Sequence, residues 1–315
     1  MTEFELIARI GQLANSLPRN GFEAPGDDCT VLGIGNGESL LFTSDLLTEG
    51  IHFLRAATPP YELGRKALAV NLSDVAAMGG RAVATLLSLA LPAGTPDSWT
   101  EDFLRGYRDL SHEEGVMLAG GDTTSSQRHI TLNVTVIGRA PDRHIKRRSD
   151  AQAGDIVVAG GELGASGAGL RDLLAGRYGT VNARIHNAPR AQTAEGIWLG
   201  GRPEVHAMID LSDGLASDLR HILTLSHVGA RIDTERLPVA AGADTATAVT
   251  GGEDYKLLFT VASEGLPALC RAFEARFGRQ LYPIGAITAD NAGEIVWLDR
   301  GSRITPDWHG YEHRI

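Results

Sequence analysis

The 315-residue sequence sets 29 Lys+Arg against 39 Asp+Glu for a formal charge of −10, and 38 residues are glycine, about 12% against a usual ~7%. An acidic chain with a pI near 5.5 is not a nucleic-acid binder, which neutralises phosphates with Lys and Arg, and 43% hydrophobic residues exclude disorder. No apolar stretch reaches the ~18 residues of a membrane helix, no basic-then-apolar leader opens the chain, and Cys29 and Cys270 form no CxxC pair, so a cytoplasmic protein of about two domains is expected.

Phe4, Ile7, Ile10, Leu13 and Leu17 recur at helical spacing and predict an N-terminal amphipathic helix. Residues 29–34 and 40–43 flank a glycine-rich turn as a hairpin. Residues 60–78 read as a helix ended by Gly79-Gly80, 82–91 as a buried strand, and 96–115 as a helix with Trp99, Phe103, Tyr107 and Leu110 on one face. Strands at 116–119 and 130–136 complete the first half. Residues 139–154 are polar, charged and non-periodic, so the boundary between domains 1–140 and 141–315 is expected there. Beyond it the pattern predicts strands at 156–159, 205–209, 230–232, 256–261, 284–287 and 295–298. Helices are expected at 164–174, 215–225 and 266–277. The fold class is therefore α/β, with α+β mixing.

The acids recur as clusters where apolar runs meet turns: GDD at 26–28, TSD at 43–45, NLSD at 71–74, GGD at 120–122, DLSDG at 210–214 and GGED at 251–254. Any one of these alone is ordinary turn material. Six of them can converge on one cleft, because loops at one edge of a sheet share a face. Converging carboxylates repel unless a cation lies between them, and hard oxygen donors select Mg²⁺ or Ca²⁺. Magnesium bridging a polyphosphate is the economical reading. HExxH, a Walker A loop, GxGxxG, the HRD and DFG pair and GxSxG are all missing. A nucleotide would then be held by carboxylate–metal contacts and glycine backbone.

Seven segments stand in order along the chain: GDDC at 26–29, Asp45 followed by Glu49-Gly50-Ile51-His52-Phe53, KALAVNLSDVAAMG at 66–79, GGDTT at 120–124, IDLSDGLASDL at 209–219, TGGEDYKL at 250–257 and DWHGYEH at 307–313. Together they resemble the thiamine-monophosphate kinase family of the AIR-synthetase-like superfamily, over essentially the whole length. The resemblance implies two α/β domains, with the N-terminal domains of a homodimer forming a shared barrel. It also implies transfer of the ATP γ-phosphoryl group to thiamine monophosphate, giving thiamine diphosphate.

By the same resemblance, Asp28, Thr43, Ser44, Asp45, Asp74, Asp122, Asp210 and Asp213 would hold several Mg²⁺ ions. Gly121, Asp122, Arg148 and Ser212 would contact ATP, and His52, Glu253 and Tyr311 the thiamine substrate. Two departures from the family pattern are Ala24-Pro25 before the GDD and the order Thr43-Ser44, which keeps both hydroxyls. Taken alone, Arg148 is a linker charge, His52 a structural histidine, Trp308 and Tyr311 packing, and Cys29 a buried strand residue. An aromatic face also suits a cationic thiazolium ring.

The acceptor is a phosphate monoester whose second pKa is about 6, already ionised at neutral pH. No general base is expected, and the aspartates act as metal ligands in a direct in-line transfer. Two alternatives stay open: another ATP-dependent synthetase of the superfamily, acting on a purine precursor or selenide, and a non-catalytic Mg-nucleotide-binding protein. PDWHGYEH and TGGEDYKL favour the thiamine branch.

Overall fold

Two β-sheets organise the chain in the computed structural model, which describes residues 2–313. The first half runs α1 (Glu3–Ser16), β1 (Thr30–Gly35), β2 (Glu38–Thr48), α2 (Pro60–Ala77), β3 (Arg81–Pro92), α3 (Asp97–Glu114), β4 (Met117–Ser126) and β5 (Thr131–Pro141). Its strands lie in the order β1-β2-β5-β3-β4, antiparallel except for β3–β4, which α3 connects.

The second half runs β6 (Ile156–Ala159), α4 (Ala165–Leu174), α5 (Val181–Asn187), α6 (Thr193–Gly200), β7 (Val205–Asp210), α7 (Leu215–Ser226) and β8 (Gly229–Asp233). It continues with α8 (Thr245–Thr250), β9 (Leu257–Val261), α9 (Leu266–Phe277), β10 (Tyr282–Thr288), β11 (Ile295–Asp299) and β12 (Ser302–Ile304). These strands lie in the order β12-β11-β8-β10-β6-β9-β7, with β8–β11 the parallel pair. The class is mixed α/β, as the sequence predicts.

Helix α2 joins the halves. From Ala67 to Ala77 its sequence is apolar or small apart from Asn71 and Asp74, and a helix hydrophobic all round is buried all round. Each residue from Lys66 to Ser73 is buried. Toward its start, α2 meets α3 backbone to backbone: a Cβ on Gly64 would collide with the Phe103 carbonyl, and one on Gly106 with that of Tyr61. Gly106→Val is therefore expected to lower stability by about 2 kcal/mol through overpacking. An unchanged urea midpoint would contradict this close approach. At its end, Ala76 and Ala77 enter the core of the second half with Val158, Met208 and Leu257.

Several predicted bounds shift. Strand β2 extends to Thr48 and β4 runs through GGDTT, so these acids lie on strands rather than in turns. The helices α5, α6 and α8 were not predicted, because 6 to 8 residues carry too few turns to display a period. The connection after β5 is packed rather than free: Ile145 is buried, and Lys146 Nζ donates to the carbonyls of Arg202 (2.9 Å) and Val205 (2.7 Å). On α1, Ile7, Ile10 and Leu13, with Leu17 at its C-cap, are more than half exposed, so the stripe faces outward. The side chain of Phe4 lies outside the described residues.

Candidate active site

Carboxylates from three distant segments meet at the junction of the halves. Asp28 precedes β1, Asp74 lies on α2 and Asp210 ends β7, and one oxygen of each lies within 4.8 Å of the others. Thr43 Oγ1 donates to Asp74 Oδ2 at 2.5 Å. Asp45, two residues further along β2, faces the same side. Its backbone N–H donates to Asn71 Oδ1 at 3.0 Å. The loop after β7 is held by Asp218 Oδ2, which accepts from the N–H groups of Asp213 (3.1 Å) and Gly214 (3.0 Å).

The cluster is electrostatically loaded. Burial first, then repulsion from neighbouring carboxylates, raises Asp74 and Asp210 well above the usual range. Burial is also the first cause that pushes Asp45 and Asp213 up to about 6. Asp28 Oδ2 and Asp210 Oδ2 are buried without a hydrogen bond. Arg148 Nη2 donates to Asp28 Oδ1 at 2.6 Å; burial opposes its charge, but Asp28 outweighs burial and keeps the guanidinium protonated. Burial likewise pushes the neighbouring Cys29 thiol up, so it stays neutral. An oxygen-only donor set with two orphaned carboxylate oxygens fits a hard divalent cation such as Mg²⁺.

A cavity of about 630 Å³ opens beside the cluster, between the halves. Asp45, Ser212 and Asp213 line it at the acidic side, and Leu54, Leu170, Leu173 and Leu174 give it an apolar wall. His52, Glu253 and Tyr311 line it as well. The Thr48 N–H donates to His52 Nδ1 at 3.0 Å, which leaves the imidazole proton on Nε2. Glu253 has φ +64° and donates its N–H to the Ser212 carbonyl at 2.7 Å. Tyr311 donates its N–H to the Asp213 carbonyl at 2.9 Å, and its half-exposed ring meets that of His313 edge-on at 4.9 Å. Trp308 packs edge-on against Trp297 at 5.0 Å.

Three expected site residues stand apart from the cluster. Ser44 points to the opposite face of β2, where its hydroxyl pairs with Thr135 Oγ1 and Asn133 Nδ2, each at 3.0 Å. Strand alternation separates it from Thr43 and Asp45. Gly121 and Asp122 lie on the edge strand β4. Asp122 aligns across the sheet with Ser88, Asn133 and Leu46, three strand spacings or roughly 14 Å. The glycine is needed at 121 for packing, since its φ is +151° and a Cβ would collide with the Leu87 backbone.

The structure also brings in residues that were not site candidates: Lys66 and Asn71 within KALAVNLSDVAAMG, Asp218 within IDLSDGLASDL, and His186 outside any motif. For Lys66 a signal existed, because a lysine inside an all-round apolar helix must be buried and paired. For the others no local pattern distinguishes a supporting side chain from an ordinary polar residue.

Residues 26–140 match AIR synthase related protein, N-terminal domain, and residues 152–298 match AIR synthase related protein, C-terminal domain. The thiamine-monophosphate kinase of Escherichia coli (strain K12) is 37% identical over 326 residues, spanning 99% of this chain and 98% of that protein. Among solved structures, AaThiL complexed with AMPPCP and TMP shares the fold with a TM-score of 0.84 at 29% identity, over 99% of this chain and 97% of that one. The thiamine-monophosphate kinase from Stenotrophomonas maltophilia K279a gives a TM-score of 0.77 at 34% identity, over 96% and 98% of the two chains. With this likeness over its whole length, and with the ordered acidic motifs folded around one cavity, the chain belongs to the thiamine-monophosphate kinase family.

Proposed function

We propose that this protein transfers the γ-phosphoryl group of ATP to thiamine monophosphate, giving thiamine diphosphate and ADP. The observation that carries this reading is the junction of a buried carboxylate cluster with a cavity that is acidic on one side and apolar on the other. A relative solved with AMPPCP, a methylene analogue of ATP, and with TMP supports the same pair of substrates.

Asp28, Thr43, Asp45, Asp74, Asp210 and Asp213 would hold the magnesium ions, which when bound would supply neutralisation of the polyphosphate's charge. Arg148 and Ser212 border this end and suit phosphate oxygens. His52 Nε2–H, the Glu253 carboxylate and the Tyr311 ring line the remainder and suit the organic part of the acceptor. A thiamine monophosphate oxygen forms the new bond to the γ-phosphorus as the bond to the β,γ-bridging oxygen breaks, its electron pair leaving on ADP. The attacking phosphate is already ionised at neutral pH, so no side chain has to remove a proton.

Residues 1–140 and 141–315 serve as the two domains in this reading, and the working form is a cytoplasmic homodimer. Support for the dimer comes from β4, exposed at every residue but Ser126 although it carries Met117 and Leu118. Nearby, Leu46, Val83 and Leu86 are exposed as well. An interface along β4 is also what would carry Gly121 and Asp122 to a nucleotide. Among the described residues, no helix is long and apolar enough to cross a membrane.

The test is incubation of the protein with MgATP and thiamine monophosphate, with thiamine diphosphate as the expected product. Bound ATP without product would leave a nucleotide-binding protein and remove the kinase reading.

A further inference from the structure

Lys66 lies on α2 with its side chain only 1% exposed. Its ammonium donates to the carbonyl of His52 at 3.0 Å and to Glu253 Oε2 at 3.0 Å, and stands 2.8 Å from Glu253 Oε1. His52 and Glu253 come from opposite halves of the molecule, and both line the cavity, whereas Lys66 lies behind that wall. Glu253 occupies the left-handed region at φ +64°, which a side-chain-bearing residue keeps only when its surroundings over-determine it.

Those surroundings are specific. His186 Nε2 lies 3.5 Å from Glu253 Oε2, and His186 Nδ1 pairs with Ser166 Oγ at 2.9 Å. Burial pushes the Glu253 carboxyl up, but the Lys66 ammonium foremost brings it below its ordinary value, so the group stays ionised. Oε1 lies off the line of a Lys66 hydrogen bond and is buried without one.

We propose that Lys66 is a positioning residue for the acceptor substrate: one ammonium fixes the Glu253 carboxylate and the His52 backbone, so that both halves present a single rigid wall to the cationic organic part of that substrate. It touches no reacting atom. The inference rests on the phosphotransfer reading above and assigns to α2 a role in acceptor recognition separate from that of Asp74.

A purely structural tie between the halves predicts equal effects on both substrates; a positioning role does not. For Lys66→Met in the full chain, the KM for thiamine monophosphate is expected to rise about tenfold or more, as when one partner of a buried charge pair is truncated. The KM for ATP is expected to change less than about twofold, because Lys66 makes no contact at the nucleotide end. On a Glu253→Gln background, Lys66→Met is expected to add less than about threefold, since its effect runs through that carboxylate. The double variant leaves no unpaired buried ion, so it carries the test if Lys66→Met alone does not fold.

Equal rises in both KM values, no rise in either, or losses that add in the double variant would each overturn the proposal. A wild-type protein that turns over thiamine monophosphate beside an unaffected Lys66→Met refutes this inference alone. A wild-type protein inactive on that substrate refutes the functional reading and this inference with it.

Discussion

Asp74→Asn is expected to lower kcat/KM by about 10³-fold while making the metal-free protein more resistant to urea, by about 1 kcal/mol. Both effects have one cause. The Asp74 carboxylate is buried beside Asp28 and Asp210, and burial followed by repulsion from Asp45 raises it well above the usual range. Without a cation, ionising that carboxyl works against burial and its neighbours, and replacing it with a neutral amide relieves the fold. During turnover the same charge is a metal ligand, and asparagine is a weaker one. The substitution keeps an amide oxygen that can still accept from Thr43 Oγ1, so local geometry survives. Urea melts and steady-state rates measured together decide the matter. Near-normal turnover would remove Asp74 from the site, and parallel losses of stability and rate would make it structural.

A second large effect is expected in the pH dependence of stability. Burial foremost, then the Lys66 ammonium, lowers His186 from an ordinary 6.5 to about 4, against the opposing pull of Glu253. In the unfolded chain the imidazole takes up its proton below about 6.5, whereas in the fold it stays neutral down to about 4. Between those limits the unfolded state binds more protons, so stability falls as pH falls. The contribution is complete above pH 6.5 and spent near pH 4, amounting to roughly 3 kcal/mol. Wild type should therefore lose roughly 3 kcal/mol more than His186→Gln between pH 7 and pH 4, measured by urea unfolding. Equal losses in the two proteins would mean that this imidazole titrates normally in the fold. Ser166, Lys66 and Glu253 face it in either case.

Legibility differed along the chain for physical reasons. Helices α3 and α7 were readable because 12 to 18 residues display several turns of periodicity, and α2 because its 18 residues of small and apolar character ahead of Gly79-Gly80 are too long for a strand. In α1 the same periodicity named the helix correctly but not its orientation, since period does not say which way an apolar stripe faces. The acidic motifs were legible as candidates because acid beside glycine or a hydroxyl is a local pattern. That Thr43 and Asp45 face the cluster while Ser44 turns away follows from β2 continuing past the predicted end of its strand.

The family, the mixed α/β class and the set of acids from which a metal site is built are legible in the order of residues, because each is written in contiguous segments. The surplus of acid that excluded nucleic acid is the same surplus that gathers in these motifs. That Asp28, Asp74 and Asp210 meet, that Asp122 lies roughly 14 Å from the β2 end of the site, and that Lys66 joins His52 to Glu253 emerges from the packing. Most of these contacts join segments far apart in the chain, as Lys66 and Glu253 are at 187 residues. They arise from how the two sheets pack on α2, and local propensity carries no term for that packing.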